Sequence, residues 1–226
     1  MQQGCHIYAD FDRPDPAIIE GFRGIPAANI DDNMGRCAAI DGAIARISRS
    51  RAPLVGPAFT VRVPEGDNLM FHKAMDMAKP GDVVVIDAGG GTEHAILGEL
   101  MVTYCRVRGI AGIVVDGLVR DADAIAEMEG ITIYARGATP NGPYKNGPGE
   151  LRGTVSVGGR IVRPGDLIVG DGDGVVVIPR EGAAAVLQAA QETVKKEEAI
   201  LQGIMQGQYP RPWVDEKLRE IGCTED

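Results

Sequence analysis

The stretch GDVVVIDAGGGTEHAILGELMVTYCRVRGIAGIVVDG, residues 81–117, decides the fold. Residues 81–91 are typical of a buried strand that runs into a glycine loop, since an apolar run is bounded by turn-forming residues. Residues 97–109 have the spacing of a helix that ends at glycine, and residues 110–117 form a second apolar strand. A strand, a helix and a strand within roughly 35 residues have the size of a βαβ crossover. The pattern therefore predicts two parallel strands.

The flanking segments extend this mixture of helices and strands. Upstream, the patterns predict a short helix, a strand and a second helix over residues 14–22, 56–63 and 65–78. Downstream, they predict a helix over 121–128, a strand over 131–135 and short antiparallel strands over 153–179. Two more helices are expected over about 181–203 and 213–222. We predict a single α/β domain over residues 1–226, with a central parallel βαβ part and an antiparallel meander.

The composition excludes several classes of protein. Of the 226 residues, 44% are hydrophobic, which is enough for a packed core. The formal net charge is −9 and no cluster of Lys and Arg stands out, which argues against a nucleic-acid groove. No apolar run approaches the roughly 20 residues of a membrane span, and the acidic N-terminus does not resemble a signal peptide. Four scattered cysteines without a C-x-x-C pair predict reduced thiols, so we expect a cytoplasmic protein.

The candidate site lies where the two central strands end, because parallel α/β units bind ligands beyond the carboxyl ends of their strands. The loop after the first strand holds Gly89–Gly91 and leads to the helix that starts at Gly98. The loop after the second strand holds Gly117, Arg120 and Asp121. We therefore expect the start of the helix and the Arg120–Asp121 pair to face one pocket.

These residues suit an anion and a divalent cation held together. The first backbone amides of a helix, here at residues 98–101, lack internal partners and attract a carboxylate or phosphate. Arg120 adds a planar fork that binds the same anion. Asp121 and Glu99 offer hard oxygen ligands for Mg²⁺, which takes one or two carboxylates and keeps several waters. A 2-oxo acid matches such a site, with its carboxylate on the amides and Arg120 and its oxo group on the metal.

Each of these residues also has a purely structural interpretation. Asp121 would serve equally as the N-cap of the helix that follows it. Glu99 suits the positive end of its helix, Arg120 suits a salt bridge, and Gly89–Gly91 suit a tight turn. The spacing alone leaves both interpretations open. The three histidines form no metal-binding pattern, and His72 is predicted to pack on its own helix.

The order of the motifs resembles a known enzyme family. GELM (98–101) followed by IAGIVVDGLVRD (110–121) is similar to the signature of the class II pyruvate aldolases that cleave 4-hydroxy-4-methyl-2-oxoglutarate and 4-carboxy-4-hydroxy-2-oxoadipate. These enzymes share a superfamily with the regulator of ribonuclease activity A. The resemblance extends through PEGDNLMFHKAM, KPGDVVVIDAGG, TPNGPYKNGPGE and RPGDLIVGDGDGVVVIPRE. It implies a β/β/α swivelling-type domain assembled as trimers or hexamers, with active sites at subunit interfaces.

The resemblance also implies roles for individual residues. The anion-binding turn of the family falls on the backbone amides of Gly98, Leu100 and Met101. The substrate-binding arginine and the metal-binding aspartate fall on Arg120 and Asp121, with Mg²⁺ or Mn²⁺ as the ion. The acidic residue that orders water around the metal falls on Glu99, where many members have Asp. The extra methylene of glutamate puts that water network in question.

A further acidic residue reaches the family's site from a neighbouring subunit. It belongs to the C-terminal helix, and KKEEA (195–199) offers Glu197 and Glu198 without deciding between them. The C-terminal helices from about residue 181 are accordingly expected to pack on a neighbouring subunit.

The resemblance predicts a lyase. A metal-ordered water would take the proton of the substrate's 4-hydroxyl as the carbon–carbon bond breaks, and pyruvate enolate would be released and protonated. Decarboxylation of oxaloacetate would pass through the same enolate. The alternative is a non-enzymatic regulator that binds ribonuclease E. Such regulators tend to lack the intact Arg–Asp pair together with the acidic helix turn, and this sequence keeps both, which favours the enzyme.

Overall fold

The computed structural model describes residues 4–50 and 52–224. Twelve strands lie within these residues, β1 to β12 in chain order: Cys5–Ile7, Ala45–Arg46, Leu54–Arg62, Val83–Asp87, Ala95–Leu97, Gly112–Val119, Thr132–Ala138, Gly149–Leu151, Val155–Val157, Arg160–Val162, Leu167–Gly170 and Val175–Ile178. The α-helices of the same residues are α1 to α7: Pro16–Gly21, Ala27–Asp32, Leu69–Met77, Glu99–Val107, Ala122–Ala126, Ala183–Met205 and Pro212–Glu220. A 3₁₀ turn, Arg180–Gly182, precedes α6.

Four parallel strands form the centre of the main sheet. β3, β4, β6 and β7 pair side by side in that order, each parallel to the next. Every residue of β6 is buried, as expected where a parallel sheet is covered on both faces. The predicted βαβ unit is confirmed, because β4 and β6 are parallel neighbours and α4 lies between them in the chain.

Alternate residues of β4 contribute to two different cores. Val84 and Ile86 belong to a cluster with residues of α3, α4 and α5. Val83 and Val85 belong to a second cluster, which contains residues of β9 to β12. The period of two is what an extended strand produces when both of its faces are covered. Helices therefore cover one face of the parallel sheet and antiparallel strands cover the other, which confirms the predicted mixed α/β fold.

The predicted antiparallel strands are confirmed, but they form two separate pairs and not one continuous meander. β9 pairs with β10, and β11 pairs with β12, both in antiparallel fashion. β11 also pairs antiparallel with the first half of β3, so β11 and β12 belong to the main sheet, whereas β9 and β10 form a separate two-stranded sheet.

The end of β6 differs from the prediction in a way that shapes the site. β6 runs on to Val119 past a register shift between Val115 and Leu118, so Gly117 lies inside the strand and not in the loop after it. This extension pairs with β5, a short strand directly before α4 that the sequence pattern did not predict. The amide of Arg120 donates to the carbonyl oxygen of Leu97 at 2.9 Å. The start of α4 and the end of β6 are therefore held side by side.

The described chain divides into two compact units, one that ends at Ala190 and one that starts at Gln191. The first unit contains all the strands described above, helices α1 to α5 and the start of α6. The second contains the remainder of α6 and α7. Packing of these helices on a neighbouring subunit stays a prediction. None of the helices in residues 4–50 and 52–224 is long and apolar enough to cross a membrane.

Candidate active site

A cavity of about 310 Å³ lies where the predicted site residues meet. The start of α4 and the end of β6 contribute Gly98, Leu100, Met101, Arg120 and Asp121 to its lining. The remaining lining residues come from the start of α3, from β5 and from the loop before β8: Asn68, His72, Leu97, Gly142, Pro143 and Lys145. The structure therefore brings the helix start and the Arg120–Asp121 pair to one cavity, and the functions predicted for them stay predictions.

Asp121 occupies the N-cap position of α5, but its side chain caps the neighbouring helix, α4. It precedes α5 in the left-handed conformation, with φ 57° and ψ 39°, and its side chain makes no capping bond to α5. Its Oδ2 atom instead accepts a hydrogen bond from the amide of Glu99, the first residue of α4, at 3.1 Å. Aspartate tolerates this conformation better than most residues do. Asp121 is therefore the N-cap residue of the following helix, as one interpretation predicted, but its side chain does not bond to that helix.

The side chain of Arg120 forms a long ion pair with Asp121. Its Nε atom lies 3.8 Å from Oδ2 of Asp121, and the two side chains are 45% and 44% exposed. An ion pair this long and exposed contributes little to stability. Its guanidinium makes no hydrogen bond to the part of the chain that the structure describes, so its fork of N–H donors can bind a ligand. A structural salt bridge does not account for its position.

Two backbone amides in the first turn of α4 already donate hydrogen bonds within the protein. Besides the bond from the Glu99 amide to Asp121, the amide of Met101 donates to the carbonyl oxygen of Gly98 at 3.1 Å. The Glu99 side chain is exposed, and Glu99 lies beside the cavity, outside its lining. The predicted roles of Glu99, Leu100 and Met101 stay predictions. Glu197 and Glu198 belong to α6 within the second unit, and the choice between them stays open.

The carboxylate of Asp121 fits a divalent cation. Both of its contacts use Oδ2, which leaves Oδ1 for a hard cation. A Cβ atom at Gly98 would lie 2.5 Å from Oδ2, so glycine at this position keeps the carboxylate accessible. No three His, Cys, Asp or Glu side chains gather into a metal site within the described residues. One carboxylate still suffices for Mg²⁺, which completes its shell with water and substrate oxygens.

Replacing Gly98 with alanine tests this close approach. The new Cβ would meet Oδ2 of Asp121 at 2.5 Å and Cγ of Arg120 at 2.9 Å, while the extended backbone at φ −148° accepts alanine. Both side chains must therefore move, and a displacement of about 1 Å at a reacting centre can cost on the order of 10²-fold in rate. We expect kcat/KM to fall by about that factor with a small change in Tm. Gly42→Ala is the control, because a Cβ there meets nothing within 4 Å.

Two elements add residues that the sequence analysis missed. Asn68 and His72 lie four residues apart at the start of α3, and both line the cavity. Side chains at this spacing lie on the same face of a helix, which is the signal in the sequence that could have identified them. His72 lines the cavity, so its predicted packing on its own helix is an incomplete description. The loop before β8 supplies Lys145; a long Pro- and Gly-rich loop in a compact domain is often functional.

Hydrogen bonds at both ends hold this loop against the cavity. The carboxylate of Asp67, which is 3% exposed, accepts from the amides of Asn146 and Gly147 at 2.5 and 3.0 Å. At the other end of the loop, Nδ1 of His94 lies 2.9 Å from the carbonyl oxygen of Gly142. The position of the loop is therefore fixed from both sides.

The glycine loop after β4 has a structural role. Gly89 and Gly90 adopt φ values of 69° and 73°, as tight turns require, and neither lines the cavity. The Gly90 amide donates to the carbonyl oxygen of Asp116 at 3.0 Å. The Asp116 carboxylate forms an ion pair with Arg136 and accepts from the Gly158 amide at 2.7 Å. The tight-turn interpretation of the glycines is correct, and Asp116 is a structural residue.

Comparisons of sequence and of structure with known proteins find relatives of the same family. A family model described as RraA-like, Aldolase/RraA, matches residues 27–177. A protein of Halalkalibacterium halodurans, provisionally named a 4-hydroxy-4-methyl-2-oxoglutarate aldolase, is 42% identical over 182 residues, which cover 80% of this chain and 86% of that protein. The structure of Streptomyces coelicolor RraAS2, described as an unusual member of the RNase ES inhibitor RraA family, matches with a TM-score of 0.73 and 29% identity over 82% of this chain and 97% of that one. An uncharacterised protein of Pseudomonas syringae shares the fold, with a TM-score of 0.75 and 24% identity over 87% of this chain and 96% of that one.

Proposed function

Because this chain belongs to the RraA-like family, which comprises aldolases and RraA proteins, we propose that it is a metal-dependent carbon–carbon lyase that releases pyruvate from a 4-hydroxy-2-oxo diacid or triacid. Its substrates would be of the 4-hydroxy-4-methyl-2-oxoglutarate or 4-carboxy-4-hydroxy-2-oxoadipate type. The observation that carries the proposal is the single cavity shared by Arg120, Asp121 and the start of α4. The name of the 42% identical relative supports it.

The proposed reaction is a retro-aldol cleavage. The C3–C4 bond of the substrate breaks, and its electron pair moves to the pyruvyl half to form the enolate. The 4-hydroxyl loses its proton and becomes the carbonyl group of the second product. The enolate is then protonated at C3 to give pyruvate. Oxaloacetate decarboxylation is the expected side activity, since loss of carbon dioxide leaves the same enolate.

Different residues at the cavity would bind the metal and the substrate. Asp121 would hold Mg²⁺ or Mn²⁺. Such an ion, when bound, polarises the 2-oxo group and stabilises the negative charge that develops there. Arg120 and the free amides at the start of α4 would bind the C1 carboxylate and orient the bond that breaks. The amide of Glu99 fixes the Asp121 carboxylate by the 3.1 Å bond described above.

We further propose that the site is completed in a homo-oligomer, a trimer or hexamer, in which Glu197 or Glu198 of a neighbouring copy approaches the cavity. Leu100 and Val107 lie seven residues apart on one face of α4 and are 82% and 79% exposed. An apolar face of this kind beside a polar cavity is typical of a surface that another chain covers.

An assay of pyruvate release tests the proposed function. Purified protein treated with a chelator should release pyruvate from oxaloacetate and from 4-hydroxy-4-methyl-2-oxoglutarate only after Mg²⁺ or Mn²⁺ is restored. We expect stimulation of more than about 10²-fold, because the ion supplies much of the charge stabilisation. Equal rates with and without metal would contradict the proposal.

A ribonuclease E regulator is the second candidate, and the RraAS2 likeness favours it. Adding the protein to a ribonuclease E cleavage reaction separates the two. The lyase proposal expects no inhibition at equimolar protein, whereas inhibition without any metal-stimulated pyruvate release would favour the regulator.

A further inference from the structure

The α3 side of the cavity contains a buried oxygen atom that has no hydrogen-bond partner among the described residues. Asn68 is 1% exposed, and its Nδ2 atom donates to the carbonyl oxygen of Ile96 at 2.9 Å. That bond fixes the orientation of the amide and turns Oδ1 away from Ile96. Oδ1 is buried and has no hydrogen-bond partner in residues 4–50 and 52–224. Because buried polar atoms are nearly always hydrogen-bonded, this oxygen points to a donor on a ligand in the cavity.

His72 provides a second atom of the same kind, one helical turn away. Its Nε2 atom is buried without a hydrogen-bond partner among the described residues, and the residue lines the cavity. Burial lowers the pKa of His72, and the charge of Lys145 lowers it further against an opposing effect of Asp76. The imidazole is therefore neutral at pH 7, where its Nε2 atom can donate or accept according to the tautomer.

Lys145 gives this side of the cavity a positive charge. The chain has a net charge of −9, yet the cavity is lined by two basic side chains, Arg120 and Lys145, and one acidic one, Asp121. A divalent cation on Asp121 would make the excess positive charge larger. The two or three carboxylates of a longer acid offset more of this positive charge than the one carboxylate of a pyruvyl group does.

We propose that Asn68, His72 and Lys145 form a second subsite that binds the far end of the substrate. Lys145 pairs with the carboxylate carried by C4, and Oδ1 of Asn68 accepts a hydrogen bond from the 4-hydroxyl. Nε2 of His72 donates to the same carboxylate. This inference rests on the proposed function, since it assigns the part of that substrate which the Arg120–Asp121 end does not bind. Lys145 and His72 determine specificity for the distal carboxylate, whereas Asn68 contacts the 4-hydroxyl that loses its proton in the reaction.

Binding of two inert acids tests the role of Lys145. Pyruvate should occupy only the Arg120–Asp121 end. The second acid, 2-oxoglutarate, has the five-carbon main chain and the distal carboxylate of 4-hydroxy-4-methyl-2-oxoglutarate, but it lacks the 4-hydroxyl and is not cleaved. Calorimetric titration with Mg²⁺ present should show that Lys145→Met weakens 2-oxoglutarate binding by about 10-fold and pyruvate binding by less than about 2-fold. Lys73→Met is the matched control: it removes the same charge from an exposed position on α3 that does not line the cavity.

The outcomes separate the subsite from the proposed reaction. Equal weakening of both acids by Lys145→Met, or no weakening of 2-oxoglutarate, would overturn the subsite. So would a wild-type protein that binds neither acid. A wild-type protein that binds both acids and shows the Lys145 effect, but never releases pyruvate, would support the subsite and reject the lyase.

A substrate comparison tests the role of Asn68. Oxaloacetate lacks the 4-hydroxyl, so Asn68→Ala should lower kcat/KM for 4-hydroxy-4-methyl-2-oxoglutarate by about 10-fold more than for oxaloacetate. Equal losses on both substrates would remove the hydroxyl contact from the proposal. Should this variant not fold, the Lys145 titrations decide the subsite.

Discussion

Replacing Asp121 with asparagine is expected to abolish metal-dependent pyruvate release while leaving the fold intact. Asparagine keeps the side-chain oxygen that accepts from the Glu99 amide at 3.1 Å and tolerates the left-handed backbone at φ 57°. It loses the negative charge that a divalent cation requires. We expect kcat/KM with Mg²⁺ to fall at least ~10³-fold, since both the ion and its charge stabilisation are lost. The measurement is pyruvate release over a magnesium titration.

Two further variants complete this test. Asp121→Ala should be equally inactive, and its Tm should also fall, because alanine neither caps α4 nor favours the left-handed conformation. Asp123→Ala removes a charge two residues away, at an exposed position outside the cavity, and should keep wild-type turnover. Wild-type turnover by Asp121→Asn with a chelator present would show that Asp121 does not hold the metal.

Replacing Arg120 with alanine should produce the second large effect. Within the described residues its guanidinium forms one ion pair, at 3.8 Å with Asp121, so its N–H donors remain for the C1 carboxylate of the substrate. Loss of a bidentate charged contact at a half-exposed site should lower kcat/KM by about 10²-fold, mainly through weaker binding of pyruvate and of the oxo acid. Steady-state kinetics and the inhibition constant of pyruvate measure this loss.

Arg120→Lys discriminates between charge and geometry. Lysine retains the charge without the planar fork, so we expect it to recover only part of the lost activity. The control is Arg106→Ala, which removes an exposed arginine from the last turn of α4, outside the cavity lining. If Arg120→Ala bound pyruvate as tightly as the wild type, the anion-binding role of Arg120 would have to be abandoned.

The local patterns of the sequence were sufficient for most of the fold. An apolar run between turn residues predicts a buried strand wherever it lies, so β4 and β6 were found, and the length between them implied parallel pairing. β5 was missed because three residues directly before a helix carry no period of their own. Its existence depends on pairing with the far end of β6, beyond the register shift.

The site was only half predictable for a related reason. Gly98, Arg120 and Asp121 follow elements whose ends are visible in the sequence, so their meeting in one cavity could be expected from the rule for parallel strands. Lys145 lies in a loop with no periodic pattern. It reaches the cavity because Asp67, far away in the sequence, binds the amides of the loop.

The sequence by itself therefore determined the central helices and longer strands, the parallel direction of β4 and β6 and the residue types of a candidate anion and metal site. Only the tertiary structure decided which helix Asp121 caps, which side of α3 faces the cavity and where the loop before β8 lies. Periodicity and capping report on neighbours within a few residues along the chain, whereas these three features depend on contacts between segments 22 to 80 residues apart.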